Sequence, residues 1–305
     1  MKKTFYSNGK LLITGEYLVL DGATALALPT KFGQNLSIEE TEEKEIHWKS
    51  YDADGTIWFE DVILFSEITA ITLPETESVK TTLIKILQEA FKLNPHYTDI
   101  QNGYRITTQL SFPRKWGLGT SSTLINNIAQ WLEIDAFELL NNSFGGSGYD
   151  IACAQNDTPI LYHLENGKPI VKPIIFNPSF KEQLYFVYLN QKQSSKIAIA
   201  NYRKNNTANL DKNITQINAL TDEILNAKTL QEFKYSIAKH ETVMSHILEL
   251  STVKEALFPD FKGEIKSLGA WGGDFILAIG NENPTSYFND KGYTIVIPYE
   301  EMILK

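Results

Sequence analysis

The chain has little cysteine: Cys153 is the only one, so no internal disulfide can hold it together, and this scarcity fits a reducing compartment. It has no basic excess. Its 28 Lys and Arg stand against 37 Asp and Glu, a net charge of −9, which argues against a broad nucleic-acid-binding face. A small anionic ligand is still permitted, because a few local cations suffice to hold one. No apolar run approaches the length needed to cross a bilayer. The basic start Met1-Lys2-Lys3 is not followed by the apolar stretch of a signal peptide. The expected location is cytoplasmic, with a small molecule as partner, no membrane or nucleic acid, and a monomer or homodimer as the assembly. A Walker A loop and a three-glycine dinucleotide fingerprint are both absent. His240-Glu241 and His246 do not make an H-E-x-x-H pair, since six residues at about 100° each turn the rings to different helix faces.

What is present is an ordinary cored protein, 43% hydrophobic and 21% charged. At 305 residues it exceeds a typical single domain, so two domains around a central cleft are expected. Asn177-Pro178 offers a boundary, giving domains 1–178 and 179–305. Strands are expected at Phe5–Gly15, Ala23–Leu28, Asn35–Glu39, Ile46–Tyr51, Thr56–Phe59 and Tyr104–Leu110. Further strands are expected at Ile160–His163 and Ile170–Ile175 around an Asn166-Gly167 hairpin turn, and at Leu184–Leu189, Phe275–Ile279 and Tyr293–Ile297. Helical spacing marks Glu77–Leu93, a run from Leu124, Ile134–Leu140, Ser195–Arg203, Ile214–Leu225 and Leu230–Leu250. This mixed order predicts an α+β fold, an N-terminal mixed α/β domain and a C-terminal α+β domain, rather than a regular βαβ alternation.

Three glycine clusters sit at element boundaries: Gly117-Leu118-Gly119, Gly145-Gly146-Ser147-Gly148 and Gly269-Ala270-Trp271-Gly272-Gly273. The first lies in Pro113–Ser122, between a strand and a helix, with Thr120, Ser121 and Ser122 at the helix start. Two readings are open. It is a strand-to-helix turn, or a loop whose backbone N–H groups and helix dipole hold phosphate. Asp150, after the second cluster, reads as a helix cap. Lys10 reads as an exposed strand lysine.

Pro113, Gly117, Leu118, Gly119, Thr120 and Ser121 resemble the second motif of the GHMP small-molecule kinases, P-x-x-x-G-L-G-S-S-A. Gly9-Lys10 through Gly15-Glu16-Tyr17 to Val19-Leu20 resembles the first motif, and Ser147-Gly148-Tyr149-Asp150-Ile151-Ala152 a segment of the phosphomevalonate kinase branch. Gly269–Asp274 resembles the third motif, G-A-G-G-G-D, with Trp271 where the family has a small glycine. The resemblance implies a two-domain GHMP kinase fold, ATP and Mg²⁺ as cofactors, and phosphorylation of a small anionic metabolite. Phosphomevalonate is the favoured acceptor; mevalonate, a sugar, decarboxylation of diphosphomevalonate and non-catalytic binding are the rivals. By the same resemblance Asp150 is the base, and Lys10 holds it ionised and steadies the transferred phosphoryl group. Pro113, Trp116, Gly117, Leu118, Gly119, Thr120, Ser121 and Ser122 hold nucleotide, and Ser121 with Glu138 holds Mg²⁺. Glu16, Tyr17, Ser147, Gly148, Tyr149, Lys192, Gly272 and Gly273 face the acceptor. Arg114, Lys115, Lys192 and Lys266 are the cations expected to meet an anionic substrate.

Overall fold

A computed structural model describes residues 2–70, 78–97, 102–191, 195–205, 209–271 and 273–304. Contacts divide the chain into two compact units. Unit 1 is residues 1–9, 32–114 and 118–155; unit 2 is residues 10–31, 115–117 and 156–305. Residues 10–31 and 156–178 thus group with the C-terminal half.

Unit 1 holds most of β1 (Lys2–Leu12), the later part of β2 (Ala25–Thr41), β3 (Glu45–Tyr51), β4 (Ile57–Leu64) and β5 (Gly103–Leu110). Its strands run in the order β4-β3-β5-β2, with β1 also paired to β2; β3 and β5 are parallel and the β3–β4 and β2–β5 pairs antiparallel. Its helices are α1 (Phe65–Ile68), α2 (Val79–Leu93), α3 (Thr120–Leu132), α4 (Ala136–Ser143) and α5 (Tyr149–Gln155). Strands and helices bury one core that includes Leu36, Trp48, Ile106, Leu87, Ile128 and Leu139. The apolar spacing read in α2 supplies Leu83, Ile84, Leu87 and Phe91 to that core. Gly33 lets β2 approach β1 closely, because a Cβ there would lie 2.2 Å from the Ser7 carbonyl oxygen.

In unit 2 the first residues of β2 pair with β6 (Ile160–Glu165), and β6 pairs with β7 (Lys168–Pro173). The hairpin turn has Asn166 at φ 51° and Gly167 at φ 75°, the two left-handed positions of a tight hairpin. Three helices follow β8 (Leu184–Tyr188): α6 (Ser195–Asn205), α7 (Leu210–Asn226) and α8 (Leu230–Leu248). No expectation covered α9 (Val253–Leu257), β9 (Glu264–Ser267), α10 (Thr285–Asp290) or α11 (Tyr299–Met302); β10 (Phe275–Ile279) falls where a strand was expected, and β11 (Val296–Pro298) overlaps only the end of the strand expected at Tyr293–Ile297. The second sheet is antiparallel throughout, in the order β11-β8-β10-β9. Among the described residues, no helix is long and apolar enough to cross a membrane.

Candidate active site

The loop Pro113–Ser122 begins with a short 3₁₀ turn over Arg114–Trp116. Gly117 (φ 69°) and Gly119 (φ 97°) are both left-handed, which explains two glycines in three positions. Gly117 is also sterically required: a Cβ there would lie 2.3 Å from the Asp274 carboxyl carbon. Gly119 is the N-cap of α3, and no side chain caps that helix. Elsewhere Ser78, Asp135, Thr229 and Thr252 accept first-turn N–H bonds at the starts of α2, α4, α8 and α9. The first turn of α3 therefore keeps backbone donors for an anion. Its hydroxyls divide in role. Ser122 is buried and donates to the Gly119 carbonyl at 2.9 Å, and Thr123 donates to Gln34 Oε1 at 2.7 Å. Ser121 is exposed, which leaves its hydroxyl open to a ligand.

Lys10, on β1, donates from Nζ to the Gly117 carbonyl at 3.2 Å. Trp116 packs edge-on to Phe275 with centroids 5.4 Å apart, and Tyr188 donates its hydroxyl to the Lys115 carbonyl at 3.1 Å. Asp274 is fixed through its backbone: its carbonyl accepts from Leu189 N, and its N–H donates to the Gln191 carbonyl, each at 2.8 Å. Within unit 2, Lys10, Gly117 and the third glycine loop thus meet. Sequence reasoning quoted Asp274 without giving it a role; only the excluded Cβ of Gly117 reveals how close it lies.

In unit 1, Gly145, Gly146 and Gly148 are left-handed and lead into α5, whose first turn carries Tyr149 and Asp150. Ser147 precedes Gly148 in this loop, and Tyr149 opens α5. Glu138 lies exposed in the first turn of α4, beyond the C-terminal end of α3, while Ser121 lies at the N-terminal end of that helix. The donors that are present still suit Mg²⁺, which commonly takes one or two protein ligands and completes its octahedron with phosphate and water. Lys192 and Gly272 lie outside the described residues.

Two expected substrate contacts are engaged elsewhere. Glu16 is fully buried, and Lys266, also fully buried, donates to its Oε1 and to the Ser267 carbonyl. Lys266 Nζ lies 3.0 Å from Glu241 Oε1, Ser267 donates to Glu241 Oε2 at 2.7 Å, and His240 Nε2 sits 3.6 Å from Glu16 Oε2. Glu16, His240 and Glu241 are close enough to bind a metal together, but the Lys266 ammonium already supplies the cation. Burial pulls the Lys266 pKa down, yet the two carboxylates outweigh it and the net shift is upward. Burial, and then the Lys266 charge, holds His240 well below the ordinary histidine value. Of the other cations, Arg114 stacks on Trp58 at 4.7 Å and Lys115 is exposed.

Burial pushes Glu16 from 4.5 up to about 7, against the attraction of Lys266. A raised folded-state pKa means the native state holds the proton more tightly than the unfolded chain. That contribution is complete below about pH 4.5 and is lost as pH rises through 7. Stability is expected to fall by on the order of 3 kcal/mol from this group between pH 4.5 and 8. Glu16→Gln should flatten that slope in denaturant titrations at several pH values, and an unchanged slope would place its origin elsewhere.

Glu16 leads into Tyr17, whose φ is 61°, and Trp271 has φ 47°. Both are bulky residues in the left-handed region, a conformation that costs about 1–3 kcal/mol each and persists only where packing enforces it. Both are buried in one cluster with Leu18, Tyr202, Ile217, Leu220 and Met244, and Tyr17 stacks on Tyr202 with centroids 5.4 Å apart.

No protein-family model and no curated protein sequence matches this chain. Solved structures do. The Methanococcus jannaschii mevalonate kinase aligns over 97% of this chain and 96% of its own, with a TM-score of 0.70 at 17% identity. The Streptococcus pneumoniae phosphomevalonate kinase, solved with phosphomevalonate and AMPPNP, aligns over 99% and 98%, with a TM-score of 0.68 at 15% identity. The chain has the GHMP kinase fold. The Lactococcus lactis galactokinase, solved with galactose, shares it as well, with a TM-score of 0.66 at 15% identity over 95% of this chain and 88% of its own. These alignments run along nearly the whole chain.

Proposed function

We propose that the protein is an ATP-dependent kinase of a small anionic metabolite, with phosphomevalonate as the favoured acceptor. The observation that carries this reading is the uncapped start of α3 behind two left-handed glycines, with Lys10 bonded to the Gly117 carbonyl. Phosphoryl transfer asks a protein mainly for positioning and charge neutralisation. Bound ATP and Mg²⁺ supply the γ-phosphoryl group and most of that neutralisation. First-turn N–H groups of α3 hold phosphate oxygens, and the exposed Ser121 hydroxyl offers the metal one ligand. Lys10 steadies the transferred group, and Asp150 accepts the proton of the attacking acceptor oxygen. Pro113, Trp116 and Leu118 shape the loop, while Ser147, Gly148, Tyr149 and Gly273 contact the acceptor. Glu16, paired with Lys266, and Tyr17, stacked on Tyr202, fix the turn of the first motif.

The choice of phosphomevalonate rests on Tyr17 and on Ser147–Asp150, which resemble that branch, together with the S. pneumoniae structure among those of like fold. ATP-coupled ADP release over mevalonate, phosphomevalonate and a set of sugars tests it. Phosphomevalonate should give the highest kcat/KM. Turnover of a sugar alone would replace the isoprenoid reading with a sugar-kinase one.

A further inference from the structure

We infer that Trp271 and Tyr17 form a latch that pins the third glycine loop against the phosphate loop, making Trp271 a positioning residue of the site. Its catalytic consequence rests on the kinase reading above; its structural consequence does not. Two consecutive residues of the first turn hold the two ends of one segment. Glu16 binds Lys266 in a buried ion pair at the start of that segment, and Tyr17 shares its buried cluster with Trp271 five residues later. Three residues beyond Trp271, Asp274 is bonded through its backbone to Leu189 and Gln191, and its carboxyl group lies against Gly117. Gly117 is the residue whose carbonyl Lys10 holds.

The character of the latch follows from its residue types. A loop with glycines at 269 and 273 has a low cost of local opening unless something fastens it. The indole is 4% exposed, yet its Nε1–H has no hydrogen-bond partner. Apolar packing therefore holds it in place. Tyr202, which stacks on Tyr17, is itself tied to Asp21 by a 2.6 Å hydrogen bond, so the receiving side of the cluster is rigid. A glycine at 271 would leave the left-handed backbone unstrained but remove the fastener. Trp271 thus trades an easy backbone for an anchored loop.

Hydrogen exchange and turnover of Trp271→Gly, with and without added indole, test this in the full-length protein. Amides of residues 268–275 and 115–118 should exchange at least about tenfold faster in the variant, while those of β8 and β10 stay protected. ATP-dependent turnover should fall by about tenfold or more through kcat, in line with the loss caused by small misplacements. Indole, which fits the space vacated, should restore both protection and rate, and Trp271→Phe should lie between variant and wild type. If Trp271→Gly does not fold, Trp271→Leu takes its place in the same measurements. Unchanged exchange at 268–275, or faster exchange spread over all of unit 2, overturns the latch. Local loosening in a protein that turns over no acceptor would retain the latch and reject the kinase reading.

Discussion

Asp150→Asn is expected to lower turnover by about 10²- to 10⁴-fold, the usual contribution of a positioned general base, while ATP affinity stays near that of the wild type. Asparagine keeps the shape of the side chain at the start of α5 but cannot take a proton. The pH dependence of the deficit reports on the acceptor. An alcohol must lose its proton at every accessible pH, so the deficit stays constant. A phosphate monoester loses its last proton near a pKa of about 6, so with such an acceptor the deficit should shrink as pH rises past that value. Steady-state kinetics between pH 5.5 and 8.5, a range of roughly three units around that ionisation, with calorimetric ATP binding alongside, checks both. Near-normal turnover throughout would remove Asp150 from the base role.

The second large effect is on stability. Lys266→Met is expected to destabilise the protein by about 3–5 kcal/mol, because it strands the carboxylates of Glu16 and Glu241 in a dry interior. Adding Glu16→Gln should recover part of the loss, since the neutral amide no longer needs the ammonium. Denaturant midpoints of the two single variants and the double variant form a cycle that isolates the pair. A double variant as unstable as the sum of the singles would mean that Lys266 acts through packing alone. The cluster also changes how the first motif is understood. Glu16 serves the architecture, fastening the turn on which Tyr17 stands, and the lysine expected to greet an anionic substrate is its internal partner.

Local chemistry was legible where one residue type leaves one option. Asn166-Gly167 announced its hairpin, the spacing of Leu83, Ile84, Leu87 and Phe91 announced α2, and the glycines at 117 and 119 announced a loop between a strand and a helix. Long-range pairing overrode local signals elsewhere. Strands were expected separately at Ala23–Leu28 and Asn35–Glu39, yet β2 runs through Pro29 and Gly33 as one strand of 17 residues. Pro29 lies between the stretch paired to β6 and the stretch paired to β5, and its carbonyl accepts from Leu304. Glu16 and Lys266 are 250 residues apart, a separation for which no spacing rule exists. Trp271 was visible as an oddity in a glycine loop, but its burial with Tyr17 is a tertiary fact.

The central claim is phosphoryl transfer to a small anionic acceptor, and the most direct measurement is product analysis by phosphorus NMR and mass spectrometry of the wild-type reaction with phosphomevalonate. The account predicts one phosphorylated acceptor for each ADP formed, with its carbon skeleton intact. ADP without a phosphorylated acceptor, a product that has lost carbon dioxide, or bound ATP that is never consumed in the presence of mevalonate, phosphomevalonate or sugars would contradict it.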